Sequence, residues 1–474
     1  MWYAWLEAQR GMARTMQPWA QPRRGATRNA KGPPEPCGAS EASGTRGAAS
    51  RARSDARDDT RQDTQPAGPT DASEGVDWLT AVGCASPEPP PFGIEHVMVD
   101  GTRVAVVEDV VERVPFCTLR RFRRVASGAA QARARRADKE HAAHAATAAH
   151  TSAAHRTAAG ARHAASNSPA VFLCPPLAGH HAVMLRETVE TLLEQHDVYV
   201  PDWANARDVP AEAGPFGLDD YVLTLERFMR RAGAVHVLSV CQATVPALAA
   251  VALIAADAHN SGSPPPLSVT LMGGPIDASL NPTPIDRFAR DHEIGWFERH
   301  VIDVVPPPYA GQGRRVYPGF IQQAALVTAH PHRYLALQAH YWASCMTGDL
   351  AAMTRRLREL SEYASVLDMT ERYFLDTIRV IFQERLLPRG MWQVAGRRVA
   401  PQALTSTALC TVEGDRDDIV GAGQTHAAGA LCTAIPAGRR MQRTLAGADH
   451  YDLFLGPRWR DEVHPMLERF WAGL

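Results

Sequence analysis

Cys241 stands at the seam between an apolar β-like run, Val235-His236-Val237-Leu238-Ser239-Val240, and an alanine-rich helical run from Thr244 to Ala256. A single nucleophile at a strand-to-helix junction is the pattern of a nucleophile elbow, whose sharp turn lifts the side chain above a sheet. The usual pentapeptide is Gly-x-Ser-x-Gly, and here it reads Ser239-Val240-Cys241-Gln242-Ala243. Small residues occupy the two glycine positions, where strand and helix must approach closely. The nucleophile is a thiol. Its thiolate attacks an ester carbonyl and forms a thioester, so the chemistry expected is acyl transfer.

A thiol nucleophile needs a base, and the base needs an orienting acid. Doubly wound hydrolases place nucleophile, acid and histidine in that chain order, each on a loop after a strand. After the predicted strand Thr407–Val412 comes Glu413-Gly-Asp-Arg-Asp-Asp-Ile-Val420, and after a short strand near Arg443–Leu445 comes Gly447-Ala-Asp-His450-Tyr451. His450 is the best-placed base of the 19 histidines. Asp415, Asp417 and Asp418 compete as the acid. Asp417 is favoured, because the Gly414-x-x-Asp spacing turns the chain once and directs a carboxylate back toward the sheet. Asp415 and Asp418 read as exposed or loop-capping.

The oxyanion of a tetrahedral intermediate needs backbone N–H donors. Gln242, after the nucleophile, should supply one. The turn Pro175-Pro-Leu-Ala-Gly-His-His181 should supply the other, from Leu177 or Ala178. His180 and His181 beside that turn suit substrate contact or plain packing. Cys174 and Cys410, at the ends of apolar strands, read as core thiols.

Short strands alternate with amphipathic helices from Ala170 to Gly274 and again from Thr407 to a closing helix over 461–471. This rhythm predicts a mostly parallel, doubly wound sheet. Ahead of it, Glu95–Glu108 reads as a hairpin about Asp100-Gly101, and Phe116–Phe122 continues the sheet. Between about 281 and 400 the rhythm lapses into helix formers and aromatics, the pattern of a helical cap. Residues 92–474 thus form one α/β catalytic domain.

The remaining segments differ in composition. Residues 1–20 carry Trp2, Leu6, Met12, Met16 and Trp19 at helical intervals, which predicts an amphipathic helix docked on the body or on an apolar surface. Residues 21–91 are poor in large apolar side chains and read as a largely disordered linker. A second low-complexity block, 127–167, holds five histidines among alanine and arginine. Their irregular spacing, without Cys or carboxylate partners, reads as a solvated insertion and not a metal site.

The 474 residues carry a net charge of −1, which gives no bias toward nucleic acid. Eight cysteines without CxxC spacing argue against a zinc site or a disulfide scaffold, and point to a reducing cytoplasm. Glu7 and Arg10 interrupt any secretory signal, and the apolar run Ala247–Ala256 is shorter than the roughly 20 residues a membrane span takes. No transmembrane segment is expected.

Several strings are long and unusual: Phe172-Leu-Cys-Pro-Pro-Leu-Ala-Gly-His-His-Ala-Val-Met-Leu-Arg-Glu-Thr188, Asp197-Val-Tyr-Val-Pro-Asp-Trp-Ala-Asn-Ala-Arg-Asp-Val-Pro210, Val240-Cys-Gln242, Leu271-Met-Gly-Gly-Pro-Ile-Asp277, Arg315-Val-Tyr-Pro-Gly-Phe320 and Val412-Glu-Gly-Asp-Arg-Asp-Asp-Ile419. They resemble intracellular poly(3-hydroxybutyrate) depolymerases, over the first 20 residues and most of 92–474. The resemblance implies an α/β-hydrolase fold with an inserted cap and a Cys–Asp–His triad on Cys241, Asp417 and His450. It also implies cleavage of stored polyester into 3-hydroxybutyrate oligomers and monomer, at the surface of cytoplasmic polyhydroxyalkanoate granules. No cofactor is implied, although coenzyme A replaces water as acyl acceptor in some relatives. Ala243 departs from the proline expected after Cys-Gln, and both low-complexity blocks look like insertions. The alternatives are a synthase-like acyltransferase using 3-hydroxyacyl-CoA, a thiolytic depolymerase using coenzyme A, and a non-enzymatic granule coat. Against a synthase, Ser239 and Ala243 replace the glycines of its Gly-x-Cys-x-Gly elbow. The sequence leaves a homodimer open.

Overall fold

The computed structural model describes residues 88–125, 168–261, 264–329 and 331–474. The helix expected over 1–20, the linker as far as residue 87 and the 127–167 insertion lie outside the described residues.

Strands β1 (His96–Val99) and β2 (Thr102–Val114) form a hairpin. Its turn residues Asp100 and Gly101 both have positive φ, 47° and 73°, as a tight two-residue connection requires. After them come β3 (Cys117–Val125), β4 (Val171–Cys174), β5 (Val198–Trp203), β6 (His236–Val240) and β7 (Ser268–Met272). Three short strands, β8 (Asp303–Val304), β9 (Arg315–Tyr317) and β10 (Met369–Thr370), make a small separate sheet, and β11 (Gln393–Val394) pairs with β12 (Arg397–Arg398). Strands β13 (Ala408–Gly414) and β14 (Arg440–Leu445) return to the main sheet.

The main sheet runs β1-β2-β3-β5-β4-β6-β7-β13-β14. The first three strands pair antiparallel, as does β3 with β5; from β5 to β14 every pairing is parallel. Neighbouring strand residues face opposite sides. Phe172, Val237 and Val269 join a core with helices α2 (Leu218–Ala232) and α3 (Thr244–Ser261). Leu173, Leu238 and Val412 join a second core with α1 (Arg186–Leu192) and the C-terminal helix His464–Ala472. A mostly parallel sheet covered on both faces, with an inner strand order of β5-β4-β6-β7 and a tight strand-to-helix turn at Cys241 after β6, is the α/β-hydrolase fold.

Helix α3 is apolar over more than the Ala247–Ala256 run read from the sequence. Cys241–Ala258 is 18 residues long and, by length and composition alone, apolar enough to cross a membrane; 72% of it is buried inside the fold. It is the central helix of one core, packed on β6 and β7.

Between β7 and β13 lie α4 (Pro284–Asp291), α5 (Ile294–His300), α6 (Gly319–Ala329), α7 (Pro331–Thr347), α8 (Leu350–Ala364) and α9 (Glu371–Thr377), the last running into a π-helical segment, Ile378–Gln383. The region is mostly helical, but β8–β10 and the β11–β12 hairpin interleave with the helices. Helix α4 starts with proline at its first position and a reciprocal cap between Thr283 and Asp286. At the C-terminus, helical structure begins ahead of the predicted 461–471. A short helix, Gly456–Arg458, and a π-helical turn, Trp459–Val463, precede His464–Ala472. Pro465 has no N–H to bond the carbonyl four residues back, and the turn widens there.

Candidate active site

Cys241 occupies the turn between β6 and α3 with φ +54°, a left-handed conformation that a non-glycine residue adopts at some energetic cost. The turn is crowded from behind. Ser239 and Ala243 are fully buried. Gly274, after β7, presses on the same turn: a Cβ there would lie 1.7 Å from Thr244 Oγ1 and 2.6 Å from the Cys241 carbonyl oxygen. Cys241 is partly exposed, in contrast to buried Cys174 and Cys410. Burial raises the pKa of both of those core thiols, Cys410 to about 12.

Asp417 and His450 meet from the loops after β13 and β14. Asp417 Oδ2 lies 2.7 Å from His450 Nδ1, and each side chain is 3% exposed. Its other oxygen accepts from the N–H groups of Ile419 and Val420, both at 2.9 Å, which holds the carboxylate in its loop. Burial alone would disfavour charge on both partners. For Asp417, the facing imidazolium and those N–H donors outweigh burial and lower the carboxyl pKa. For His450, burial is outweighed by the Asp417 carboxylate and by coupling to Cys241, and its pKa stands well above the ordinary histidine value. With Nδ1 committed to Asp417, Nε2 is left for the thiol. The other two candidate acids are exposed: Asp415 accepts from Gly447 N–H at 2.6 Å, tying the two loops together, and Asp418 lies at the surface.

Cys241, His450, Leu177, Ala178 and Gln242 line one pocket of about 190 Å³. Gln242 opens a helix, where its N–H has no carbonyl one turn earlier to bond. The N–H groups of Leu177 and Ala178 donate to no backbone carbonyl among the described residues. His180 is buried in the pocket wall, 5.2 Å ring to ring from Tyr363. His181 is outside the lining, and burial, aided by Arg207, lowers its pKa to about 4. The rest of the lining is chiefly apolar, from Met184, Ile285, Met369, Phe374, Ile378 and Phe382.

Other residues position the site without being evident in the sequence. The Gln242 carboxamide is clasped by the cap: Nε2 donates to Tyr373 Oη at 2.7 Å and Thr377 Oγ1 at 3.4 Å, and Tyr373 Oη lies 2.9 Å from Gln242 Oε1. Glu413, buried at the end of β13, accepts from the N–H groups of Gly423, Thr425 and His426 and gathers the acid loop. Thr425 Oγ1 then bonds both the N–H and the carbonyl of Gly274, at 2.8 and 3.0 Å. The acid loop is thereby locked to the glycine that supports the elbow. The buried Glu413 was visible as a residue, but its three partners lie 10 to 13 residues on, with no spacing signal. No group of three His, Cys, Asp or Glu side chains suited to a metal ion occurs among the described residues.

Residues 273–473 match the family model described as PHB de-polymerase C-terminus. No curated protein sequence matches the chain. Among solved structures, 2-hydroxy-6-oxo-6-phenylhexa-2,4-dienoate hydrolase from Rhodococcus sp. strain RHA1 is similar, with 15% identity and a TM-score of 0.38, over 78% of this chain and 99% of that one. Paleococcus ferrophilus monoacylglycerol lipase aligns with 12% identity and a TM-score of 0.39, over 65% of this chain and 96% of its own.

Proposed function

We propose that this chain, whose residues 273–473 match the PHB de-polymerase C-terminus model, is an intracellular depolymerase cleaving the ester bonds of stored poly(3-hydroxybutyrate). The observation that supports this reading is the 2.7 Å Asp417–His450 pair standing with Cys241 in an apolar pocket. A polyester of uncharged, methyl-bearing repeats is a substrate that such a lining favours.

In this mechanism His450 holds the proton of Cys241 and leaves a thiolate beside the imidazolium. The thiolate attacks the ester carbonyl, and Gln242 with Leu177 or Ala178 stabilises the oxyanion through backbone N–H groups, each worth roughly 3 kcal/mol in the transition state. His450 donates its proton to the departing 3-hydroxy oxygen, and the carbon–oxygen bond breaks. A 3-hydroxyacyl thioester remains on Cys241. Water then loses a proton to His450, attacks the thioester and releases the acid, restoring the thiol. Asp417 keeps the ring oriented and balances its charge throughout.

The partners in this reading are the polymer and its oligomers at the surface of cytoplasmic granules. Purified full-length protein should release 3-hydroxybutyrate oligomers and monomer from amorphous polymer particles, and Cys241→Ala should not. Release of 3-hydroxybutyryl-CoA only when coenzyme A is supplied would identify the acceptor as a thiol. Polymer growth from 3-hydroxybutyryl-CoA would replace the reading with a synthase.

A further inference from the structure

The pocket continues past its rim. Ile285, in the first turn of α4, lines the pocket and is also 38% exposed. Phe288, nearly one turn on, is 46% exposed, and Leu280, ahead of the helix, 40%. From Phe288 a row of rings follows: Phe288 to His292 at 4.3 Å, His292 to Trp296 at 4.6 Å, and Trp296 to His300 at 4.6 Å between centroids.

The row is built rigidly. His292 Nδ1 donates to the Phe288 carbonyl at 2.9 Å and His300 Nδ1 to the Trp296 carbonyl at 2.7 Å, so both imidazoles are fixed. Buried Phe297 stands edge-on to Phe288 at 5.8 Å and to Phe374 of the pocket wall at 6.0 Å. Gln383, from the π-helical segment, donates to the carbonyls of Ala289 and His292, and Gln424 of the acid loop donates to Asp286. Pocket wall, outer row and acid loop are one packed body.

Leu280, Ile285 and Phe288 are exposed and half-buried Trp296 extends them through the ring row; an apolar stretch of this kind marks a binding surface. Its occupant follows from continuity with the pocket. A polymer whose scissile ester sits at Cys241 has further repeats that must leave the pocket, and Ile285 is where the wall becomes outer surface. Those repeats carry methyl groups and ester carbonyls but no charge. We propose that Leu280, Ile285, Phe288 and Trp296 form a track for the emerging polyester chain, which gives the enzyme a preference for long chains over short ones. This inference rests on the substrate reading above.

The test separates binding from turnover. In the full-length Cys241→Ala protein, calorimetry with 3-hydroxybutyrate oligomers should show affinity rising from dimer to decamer. Adding Phe288→Ser should weaken decamer binding about tenfold relative to dimer, the scale of a lost aromatic contact. Adding Leu335→Ser instead, at an exposed apolar site on α7, should leave that ratio unaltered. Equal length dependence with and without Phe288→Ser, or no binding of decamer, overturns the track. Turnover by the unmodified protein answers the other question: cleavage of dimer and decamer at equal efficiency keeps the depolymerase reading and sinks the track. Absence of cleavage, with Phe288-dependent decamer binding, keeps the track and sinks the depolymerase.

Discussion

Asp417 and His450 form a sealed pair: their 2.7 Å contact lies between side chains each 3% exposed, and the second carboxylate oxygen is saturated by two backbone N–H groups. The carboxylate cannot swing to another partner, so the imidazole has one orientation. Asp417→Asn should keep the fold and lower kcat about 10³- to 10⁴-fold, because the amide no longer selects the tautomer that faces the thiol. Asp415→Asn, which only loosens a bond to Gly447, should stay within about threefold of the unmodified enzyme, on the scale of an exposed hydrogen bond. Steady-state rates on a soluble 3-hydroxybutyrate ester compare the two.

The pair also sets a pH dependence of stability. His450 has a raised pKa, so its contribution is full below the unfolded histidine value near 6.5 and is lost as pH rises through the folded value. Asp417 has a lowered pKa, so its contribution is present above the unfolded value near 3.9 and is lost as pH falls through the folded one. Urea unfolding of the unmodified protein and Asp417→Asn should therefore differ most between about pH 4 and 6.5 and converge on either side. A difference independent of pH would contradict the assignment. Nitrogen-15 NMR should show the His450 ring losing its proton at lower pH in Asp417→Asn.

At φ +54° the Cys241 backbone carries strain that glycine does not feel. Cys241→Gly should abolish turnover yet unfold at a free energy about 1 kcal/mol above Cys241→Ala. Equal stability of the two variants would mean that the turn is relaxed.

How much of this was legible depended on chain distance. The elbow could be read because strand, nucleophile and helix are consecutive from Val235 to Ser261. The strands and helices flanking it followed from their alternation, and the hairpin from the Asp100-Gly101 turn signal between two β-rich runs. The Gly273-Gly274 pair was visible as a string, but its reason was not. The contacts that demand it come from Thr244, Cys241, Leu453 and His450, four positions spread over 200 residues. The same holds for the Gln242–Tyr373 clasp, which joins residues 131 positions apart. Local periodicity also missed the small β8–β10 sheet, whose strands of two or three residues are too short to alternate, and the π-helical turn before Pro465.

That clasp gives a further expectation. Gln242, the proposed oxyanion donor, lines the pocket while Tyr373 and Thr377 hold its side chain. Tyr373→Phe removes the hydroxyl and keeps the ring, so the carboxamide loses the nearer of its two partners without loss of packing. Oxyanion stabilisation is made chiefly in the transition state, so kcat should fall about tenfold with little change in KM. A rise in KM alone would assign Tyr373 to substrate binding.

The account turns on Cys241 as the atom that carries the acyl group. Intact-protein and peptide mass spectrometry after brief mixing with a 3-hydroxybutyrate oligomer tests it most directly. The result predicted is a hydroxyacyl adduct on Cys241 that accumulates before product is released and is absent from Cys241→Ala. Turnover without an adduct, or an adduct on another residue, would contradict it.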